Sequence, residues 1–445
     1  MARLFGTDGV RGIANTELSP TLALKLGAAS AYVLRGRHSE AKILMGRDPR
    51  ISGDILESAM ASGICSIGVD VYLTGVAPTP AVAFMTQLMQ ADAGVVISAS
   101  HNPMRDNGIK FFGADGYKLP DEIEDEIEAR MKNFKNLARA EGAGVGRMFR
   151  VHDMIDGYVS HLISSFPHKL GGIKLVLDCA NGAVCEAGPK IFSALGADVE
   201  VIHNKPDGIN INDNCGSQHL DDLRRAVLSA GAQAGMAFDG DGDRAILVDE
   251  KGRAVDGDRV MAICAIHLAR EGRLPHSAVV ATVMSNMGLE VALRREGISL
   301  VRTRVGDRYV SDEMRRTGII VGGEKSGHLI FSRHSTTGDG LVTALQVLNV
   351  MLLTGKPLSE LGAMVEEFPQ TLVNVPVKDK NGWENVLEVG HVIKESEQRL
   401  AGRGRVLVRA SGTENLIRVM TEGPDLAELQ EITGAICDVV KSKLG

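Results

Sequence analysis

The segment GVVISASHNPMRDNGIKFF, residues 94–112, decides the fold class. It begins with a short apolar run of the kind that forms a buried strand, and this run ends abruptly in a polar loop that contains glycine. In α/β proteins the loops that follow buried strands are where ligands bind. The segment therefore predicts a sheet covered by helices and a functional loop at the end of one of its strands.

Apolar runs of the same kind recur along the chain and alternate with helical patterns. The predicted buried strands lie at 41–46, 94–99, 174–178, 235–239, 245–249, 278–283 and 317–321. Among the helical patterns, 121–138 follows Pro120 and has apolar residues at helical spacing. Strands that alternate with helices predict an α/β protein with parallel or mixed sheets.

The chain divides into four predicted modules. The glycine-rich stretch AEGAGVGR (140–147) indicates the end of the first, and a Lys251-Gly252 turn follows the last strand of the second. The third ends near Phe368-Pro369, and the remainder has the pattern of a small α+β unit. We predict three related mixed α/β domains and a smaller C-terminal α+β domain, at residues 1–150, 151–255, 256–368 and 369–445.

Composition and charge exclude several classes of protein. The 445 residues have a net charge of −7, which argues against a nucleic-acid-binding surface. The sequence has no apolar run long enough to span a membrane, and its start, MARLFGTDGVRG, lacks the apolar core of a signal peptide. Six cysteines without metal or disulfide spacing are typical of reduced thiols. We expect a cytoplasmic enzyme with neither nucleic acid nor a membrane as its partner.

The loop after residue 99 contains a candidate nucleophile. Ser100 directly follows the predicted strand, and His101 or Lys110 would supply the base that a serine nucleophile needs. The alternative is an ordinary polar turn, in which Asn-Pro and Asn-Gly pairs bend the chain. The sequence lacks the GxSxG elbow of an α/β-hydrolase, which argues against that fold.

The segment FDGDGDRAILVDE, residues 238–250, predicts a metal site. Its three aspartates alternate with glycines: Asp239, Asp241 and Asp243. Three converging carboxylates repel one another unless a cation neutralises them, and hard oxygen ligands select Mg²⁺ or Ca²⁺. An EF-hand is one alternative, but Arg244 stands where that loop needs glycine and the flanks have strand patterns. A solvated acidic turn is the other alternative.

Two further polar loops indicate contacts to a phosphorylated sugar. In GGEKSGH (322–328) three polar residues alternate as needed to bind neighbouring hydroxyls: Glu324, Ser326 and His328. In RASGTENLIR (409–418) a compact turn offers a guanidinium, hydroxyls and backbone N–H groups to a phosphate, from Arg409, Ser411, Gly412 and Thr413. A plain polar turn and a hairpin turn are the respective alternatives. Because the four loops lie in four modules, we expect one cleft where the modules meet.

The ordered motifs FGTDGVRG, ISASHNP, DGDGDR, GEKSGH and RASGTEN resemble those of the α-D-phosphohexomutase superfamily, over the whole chain. The resemblance implies four domains around a central cleft and a phosphoryl group carried on Ser100. It implies one Mg²⁺ per chain beside that group, with Ser100, Asp239, Asp241 and Asp243 as its ligands.

The resemblance also implies roles for other side chains. Sugar hydroxyls would be bound by Glu324, Ser326 and His328, and the phosphate that does not react by Arg409, Ser411, Gly412, Thr413 and Arg418. Lys110 would be the general acid and base, since the superfamily places a lysine ten residues after the phosphoserine, and His101 is its rival. Arg11 and Arg244 would offset the negative charge of the phosphoserine.

The reaction implied is an internal phosphoryl transfer in a phosphosugar. Phospho-Ser100 would donate to one sugar hydroxyl, the bisphosphate would reorient, and Ser100 would take back the other phosphate. A hexosamine or hexose 1,6-bisphosphate would serve as the primer, and the chain could form a homodimer.

The sugar is expected to be glucosamine. The stretch RVGDRYV (304–310) and Lys325 resemble the branch of the superfamily that acts on glucosamine phosphates for UDP-N-acetylglucosamine and cell-wall synthesis. Asp307 would attract a substrate ammonium group by its charge. The alternatives are a phosphoglucomutase/phosphomannomutase, a Ca²⁺-binding regulatory protein and a metal-dependent phosphatase.

Overall fold

The structure is a computed structural model that describes residues 3–35, 41–151, 153–411 and 415–445 of the chain. It has two compact units. The larger comprises Met1–Met284 and Glu296–Met364, and the smaller comprises Ser285–Arg295 and Val365–Gly445.

The first sheet of the larger unit has six strands and is associated with four helices. In chain order these are β1 (Val10–Ile13), α1 (Pro20–Leu34), β2 (Lys42–Arg47), α2 (Ser52–Cys65), β3 (Asp70–Val76), α3 (Thr79–Leu88), β4 (Ala93–Ile97), β5 (Asp106–Gly113), α4 (Asp121–Lys132) and β6 (Met148–Arg150). The strand order is β1-β5-β4-β2-β3-β6. Strands β4, β2, β3 and β6 are parallel, and β5 runs antiparallel to both β4 and β1.

Glycines allow helices α1 and α2 to pack closely against each other. A Cβ atom on Gly63 would lie 2.1 Å from the carbonyl oxygen of Leu24, and one on Gly27 would lie 2.4 Å from that of Met60. No side chain larger than hydrogen fits at either position. The two helices therefore contribute a common apolar face to the first core.

The second and third sheets follow along the chain. The second has α5 (Met154–Ser165), β7 (Lys174–Asp178), α6 (Ala187–Ala194), β8 (Asp198–Ile202), α7 (Asp221–Ala230), β9 (Ala234–Phe238), β10 (Ala245–Asp249) and β11 (Ala254–Val255). The third has α8 (Gly257–Arg270), β12 (Ala278–Thr282), then α9 (Met287–Arg295) in the smaller unit, β13 (Ser299–Thr303), α10 (Asp307–Thr317), β14 (Val321–Gly323), β15 (Leu329–Phe331), α11 (Gly340–Thr354) and α12 (Leu358–Gly362). The strand orders are β11-β10-β9-β7-β8 and β13-β12-β14-β15, and both sheets are mixed.

The smaller unit has an antiparallel sheet. Besides α9 it contains β16 (Gln370–Pro376), α13 (Leu387–Leu400), β17 (Arg405–Ala410), β18 (Leu416–Glu422) and α14 (Leu426–Leu444), with strand order β16-β18-β17. The side chain of Asp425 accepts hydrogen bonds from two backbone N–H groups and so caps the N-terminus of α14. This unit has the α+β character that the sequence predicts.

Two predicted elements are wrong in extent. The helix expected at 121–138 ends at Lys132, because Asn133 leaves the helical conformation and its side chain donates to the carbonyl of Ala129. The strand expected at 317–321 starts only at Val321, because α10 continues to Thr317 and ends on Gly318 in the left-handed conformation. In both cases a cap, which apolar periodicity does not report, sets the boundary.

The α/β fold class is confirmed, with three mixed α/β sheets and a smaller α+β unit. All six cysteines are free thiols. Within the described parts of the chain, no helix has both the length and the apolar character needed to cross a membrane. The four domain boundaries stay predictions.

Candidate active site

Ser100 follows the end of β4 in an unusual backbone conformation. Its φ angle is +54°, in the left-handed region that residues other than glycine rarely adopt. Polar contacts on both sides hold it there: its N–H donates to Ser98 Oγ at 2.9 Å, and its carbonyl accepts from Arg50 at 3.2 Å and Asn212 Nδ2 at 2.9 Å. Strain of this kind, held by surrounding contacts, is typical of functional sites.

The Ser100 hydroxyl contacts the first aspartate of the predicted metal loop. Its Oγ donates to Asp239 Oδ2 at 2.5 Å and lies 3.2 Å from His101 Nδ1. Ser100 and Asp239 are 139 residues apart in the chain, so the tertiary fold brings the candidate nucleophile to the acidic loop.

The acidic loop connects β9 to β10 and gathers its three carboxylates. One oxygen of each aspartate lies within 4.8 Å of the others, and all three side chains are buried. Asp241 Oδ1 and Asp243 Oδ1 have no hydrogen-bond partner among the described residues. Buried carboxylate oxygens without partners fit a hard divalent cation such as Mg²⁺. Because strands rather than helices flank the loop, the EF-hand alternative is wrong.

Lys110 lies on β5 and reaches the same group of carboxylates. Its Nζ is 2.9 Å from Asp241 Oδ2, 3.3 Å from Asp243 Oδ2 and 3.1 Å from Asp8 Oδ2. Burial lowers the pKa of the ammonium group, but these three carboxylates outweigh burial and raise it well above its ordinary value. These neighbours therefore keep Lys110 in its protonated, ammonium form.

His101 has the opposite character. Burial and the neighbouring guanidinium groups of Arg244 and Arg11 lower the pKa of His101 to about 4. The imidazole is therefore neutral at physiological pH and its Nδ1, beside the Ser100 hydroxyl, is able to accept a proton. The two predicted acid/base candidates thus differ in protonation state.

A cavity of about 390 Å³ adjoins these groups. Charged and polar side chains line much of it, including Thr7, Asp8, Arg11, Arg244, Glu324 and His328. Arg11 forms an ion pair with Asp8, and the backbone N–H of Arg244 donates to Asp239 Oδ1 at 3.1 Å. Both arginines therefore stand at a cavity beside the carboxylates, where they would attract an anion.

The loop at 322–328 supplies Glu324 to this cavity. Glu324 Oε1 accepts from the backbone N–H of Gly306 at 3.3 Å, and Ser326 Oγ donates to Glu324 Oε2 at 3.4 Å. Glu324 is thus fixed by its neighbours while its carboxylate lines the cavity. Sugar-hydroxyl binding by these two residues stays a prediction.

His328 is buried between two carboxylates. Its Nδ1 lies 3.5 Å from Asp243 Oδ2 and its Nε2 lies 3.5 Å from Asp307 Oδ2. Burial lowers the pKa of the imidazole, but Asp243 and Asp307 outweigh burial and raise it. Asp307 also pairs with Lys118, so an ammonium group already shares its charge before any substrate ammonium arrives.

Sequence reasoning missed several residues of the site. Asp8 pairs with Lys110, Lys118 and Arg11, and Thr79 Oγ1 donates to Asp241 Oδ2 at 2.6 Å. The glycine that follows Asp8 is the one indication of this residue in the sequence. At Gly9 a Cβ atom would lie 2.2 Å from the carbonyl oxygen of Ile109. Such a close approach requires glycine and indicates a packed functional loop.

The predicted phosphate loop lies between β17 and β18 of the smaller unit. Arg409 and Arg418 are directly opposite each other on these strands, and Arg418 Nε is buried without a hydrogen-bond partner within the described chain. Burial and the adjacent Arg418 lower the pKa of Arg409. Ser411 closes the hairpin through its N–H to Leu416, at 2.9 Å. Gly412 and Thr413 lie outside the described residues.

The paired arginines form a site of unbalanced positive charge. Like charges directly opposite on neighbouring strands repel, and an anion between them removes that repulsion. This arrangement fits a phosphate oxygen as the missing partner.

Four sequence models of one family match most of the chain. They are described as Phosphoglucomutase/phosphomannomutase alpha/beta/alpha domain I (residues 2–138), domain II (156–252) and domain III (256–368), and the C-terminal domain (372–439).

Curated relatives share about half of the residues over the full length. A phosphoglucosamine mutase of Pelotomaculum thermopropionicum is 54% identical over 442 residues, and one of Desulforamulus reducens is 52% identical over 441 residues. Each alignment covers 99% of this chain and 99% of the relative.

Solved structures share the fold at lower identity. A phosphoglucomutase/phosphomannomutase family protein from Burkholderia thailandensis matches with a TM-score of 0.83 and 24% identity, over 100% of this chain and 98% of that one. An Aspergillus fumigatus N-acetylphosphoglucosamine mutase, solved with GlcNAc-6P and magnesium, matches with a TM-score of 0.70 and 18% identity, over 99% and 95%. A variant of the same fungal enzyme was solved with glucose 1,6-bisphosphate and matches with a TM-score of 0.66 and 19% identity, over 99% and 95%.

Proposed function

The chain belongs to the phosphoglucomutase/phosphomannomutase family and, within it, to the phosphoglucosamine mutases, and we propose how its own residues carry out that reaction. The enzyme is an isomerase that interconverts glucosamine 6-phosphate and glucosamine 1-phosphate. The observation that carries the mechanism is the 2.5 Å contact of Ser100 Oγ with Asp239, beside two carboxylates that each have one buried oxygen without a hydrogen bond among the described residues.

Ser100 carries the phosphoryl group in this mechanism. In the first half, a sugar hydroxyl attacks phosphorus, the bond from phosphorus to Ser100 Oγ breaks, and the hydroxyl proton leaves to a base. In the second half, the bisphosphate presents its other phosphate, and Ser100 Oγ attacks that phosphorus and loses its proton to a base. The bond from phosphorus to the sugar oxygen breaks, the sugar oxygen takes a proton, and the phosphoenzyme forms again. Positioning and charge neutralisation dominate the rate of such transfers.

One Mg²⁺ would be held by Ser100 Oγ and the three aspartates of the acidic loop: Asp239, Asp241 and Asp243. When bound, this ion would neutralise oxygens of the transferred phosphoryl group. Support comes from the partnerless oxygens of Asp241 and Asp243, and from the magnesium with which the fungal relative was solved. Arg11 and Arg244 add positive charge at the adjoining cavity.

Lys110 and His101 divide the proton transfers. Three carboxylates keep Lys110 protonated, which suits it to donate a proton to Ser100 Oγ as the serine departs from phosphorus. His101 is neutral and lies 3.2 Å from that oxygen, which suits it to take the proton when Ser100 attacks. Two residues thus share the acid and base roles for which the sequence favours Lys110 alone.

Two loops of the chain recognise the substrate in this mechanism. Glu324, Ser326 and His328 bind sugar hydroxyls, and the C-terminal loop binds the phosphate that does not react, through Arg409, Ser411, Gly412, Thr413 and Arg418. The opposed arginines Arg409 and Arg418 support this role because they need an anion. A hexosamine or hexose 1,6-bisphosphate primes Ser100, in keeping with the bisphosphate bound to the fungal variant.

Three parts of the interpretation rest on sequence and remain predictions: the cytoplasmic location, the absence of nucleic acid among the partners, and a homodimer. Analytical ultracentrifugation of the full chain measures the last directly, as a sedimenting mass of one or two copies.

A phosphorus NMR time course tests the function. The protein is mixed with Mg²⁺, a trace of hexose bisphosphate, glucosamine 6-phosphate and an equal amount of glucose 6-phosphate. We expect the glucosamine 1-phosphate resonance to appear first. Conversion of the glucose ester alone would contradict the amino-sugar assignment, and net release of inorganic phosphate would identify a phosphatase instead.

A further inference from the structure

A second cluster of possible metal ligands lies at the carboxyl ends of the second sheet, outside the acidic loop. Asp178 ends β7, His203 follows β8, and Cys215 lies further along the same connection. Strands β7 and β8 are parallel neighbours, so their carboxyl ends share one edge of the sheet. A donor atom from each of the three side chains lies within 4.8 Å of the others.

The histidine of this cluster has one nitrogen without a satisfactory partner. His203 Nε2 lies 3.2 Å from Asp222 Oδ2, an acceptor that selects the tautomer with the proton on Nε2. The other nitrogen, Nδ1, lies 3.1 Å from Asp178 Oδ1, and this carboxylate raises the pKa of the imidazole. Nδ1 is buried and makes no hydrogen bond of acceptable geometry within the described residues.

A ring nitrogen and a carboxylate oxygen that face each other at this distance need a cation between them, either a proton on the nitrogen or a metal ion. In a tetrahedral zinc site, nitrogen and oxygen ligands at about 2.0–2.1 Å from the metal are roughly 3.3 Å from each other. The observed 3.1 Å separation of His203 Nδ1 and Asp178 Oδ1 matches that edge. The carboxylate is also held rigidly, because its two oxygens accept from the backbone N–H groups of Ala180 and Gly216, each at 2.9 Å.

Cys215 adds a sulfur ligand to the nitrogen and the oxygen. Burial raises the pKa of its thiol to about 12, so the side chain is a neutral thiol and a poor nucleophile by itself. A bound metal ion deprotonates such a thiol directly. Together, nitrogen, oxygen and sulfur ligands favour Zn²⁺ over Mg²⁺, which takes oxygen ligands.

The cluster supports the loop that holds the catalytic serine. Asn212, which lies between His203 and Cys215, donates from Nδ2 to the Ser100 carbonyl and from its backbone N–H to Ala180, both at 2.9 Å. At Gly216 a Cβ atom would lie 2.5 Å from the carbonyl oxygen of Phe238, directly before the acidic loop. An ion bound to both ends of segment 203–215 would restrict its motion.

We propose that Asp178, His203 and Cys215 form a second metal site, for a thiophilic divalent cation of the Zn²⁺ class, which stiffens segment 203–215 behind the catalytic serine. Water would complete the four ligands. The site is separate from the aspartate triad and does not depend on the mutase reaction.

Cobalt is the probe, because a thiolate bound to Co²⁺ gives a charge-transfer band that oxygen ligands do not give. The full-length protein is stripped of metal, saturated with Mg²⁺ to fill the aspartate triad, and titrated with Co²⁺. We expect the band to saturate at one equivalent per chain and to disappear when Zn²⁺ is added. Failure of the wild-type protein to give the band would overturn the proposal and leave His203 as an imidazolium paired with two aspartates.

Variants assign the ligands. Cys215→Ser is expected to abolish the band, and His203→Gln to weaken Co²⁺ binding by roughly 10-fold or more. Cys264→Ser, which changes a buried cysteine of α8, and Cys185→Ser, which changes a thiol near the cluster, are expected to keep the band. A band that survives in Cys215→Ser or vanishes in Cys185→Ser would contradict the assigned ligands. Circular dichroism checks that each variant is folded, and the wild-type titration decides the question if Cys215→Ser is not.

Discussion

Asp48 and the aspartate triad are buried carboxylates near the Ser100 segment, and they differ in whether all of their oxygens accept hydrogen bonds. Asp48 accepts from the backbone N–H and the guanidinium of Arg50 and from Ser98 Oγ, at 2.5 Å for the last, so both of its oxygens have partners. The aspartate triad instead leaves Asp241 Oδ1 and Asp243 Oδ1 without hydrogen bonds among the residues described. Asp48 supports the backbone around Ser100, whereas the aspartate triad keeps negative charge that a bound cation would neutralise.

Adjacent parts of one site therefore serve different purposes, one stability and the other ligand binding. A buried ion pair whose partners are complete is costly to break but does nothing for an incoming group. A cluster of buried carboxylates in which some oxygens make no hydrogen bond is costly to keep, and a bound cation offsets that cost. The pKa of Asp239 expresses that cost, because burial and the charges of Asp243 and Asp241 raise it well above its ordinary range.

The largest expected effect concerns Ser100 itself. Ser100→Ala removes the atom that carries the phosphoryl group and should lower kcat/KM by roughly 10⁴-fold or more. Ser164→Ala, which changes an exposed serine of α5, is the matched control and should retain wild-type turnover. Steady-state rates with a bisphosphate primer measure both. Near-normal isomerisation by Ser100→Ala would mean that the phosphoryl group does not pass through this serine.

Loss of the ion pair between Arg50 and Asp48 should lower the free energy of unfolding more than any substitution in the aspartate triad. Arg50→Met leaves Asp48 buried and unpaired, which should cost about 3–5 kcal/mol in the free energy of unfolding. Arg316→Met removes an exposed pair with Glu313 and should cost less than ~1 kcal/mol. Urea denaturation followed by circular dichroism measures both variants. Equal stability of the two would contradict the supporting role given to Arg50.

A substitution in the aspartate triad should instead change how the stability of the protein responds to Mg²⁺. At a Mg²⁺ concentration about 100 times its Kd, wild-type protein should gain about 2.7 kcal/mol of stability. Asp239→Asn should lose that gain, and without metal it should be at least as stable as wild type, because a like charge is removed. Thermal unfolding with and without Mg²⁺ shows the difference, with Asp198→Asn, an exposed aspartate of β8, as control. A full magnesium response in Asp239→Asn would remove this residue from the metal site.

Asp339 is a further buried carboxylate, and its expected effect on stability is smaller. Asp339 caps α11 through the N–H groups of Leu341 and Val342 and accepts from Tyr158 Oη at 2.8 Å, yet burial raises its pKa to about 6. Because this pKa lies above the ordinary value of 3.8, the folded state holds the proton more tightly than the unfolded state. Its contribution to stability is complete below about pH 4 and is lost as the pH rises to about 6.

Asp339→Asn keeps the acceptor oxygen and removes the titration. The fall in stability between pH 4 and 6 should shrink by on the order of 2 kcal/mol. Asp425→Asn, at the exposed cap of α14, should leave the fall unchanged. Urea unfolding at four or five pH values measures the free energy of unfolding of each variant. An unchanged dependence on pH in Asp339→Asn would assign the titration to another group.

The sequence predicted the parts of the site that are local in the chain. Ser100 directly after a buried strand and aspartates spaced by glycine are patterns of neighbouring residues, and the fold brings these two loops together. Asp8, Thr79 and Lys118 were missed because their partners lie 102, 162 and 189 residues away in sequence. The end of the helix before Asn133 and the start of the strand at Val321 were misplaced because caps and left-handed turns set them.

Single-turnover transfer from the phosphoenzyme shows whether the phosphoryl group passes through Ser100. Enzyme phosphorylated by an ¹⁸O-labelled bisphosphate and freed of it is mixed with an equal amount of unlabelled glucosamine 6-phosphate, without primer, and the products are analysed by mass spectrometry. The account predicts that phosphate leaves Ser100 and that the sugar gains it, as glucosamine 1,6-bisphosphate or as glucosamine 1-phosphate. Glucosamine 1-phosphate formed while Ser100 keeps the original phosphate, or phosphate found on another residue, would contradict it.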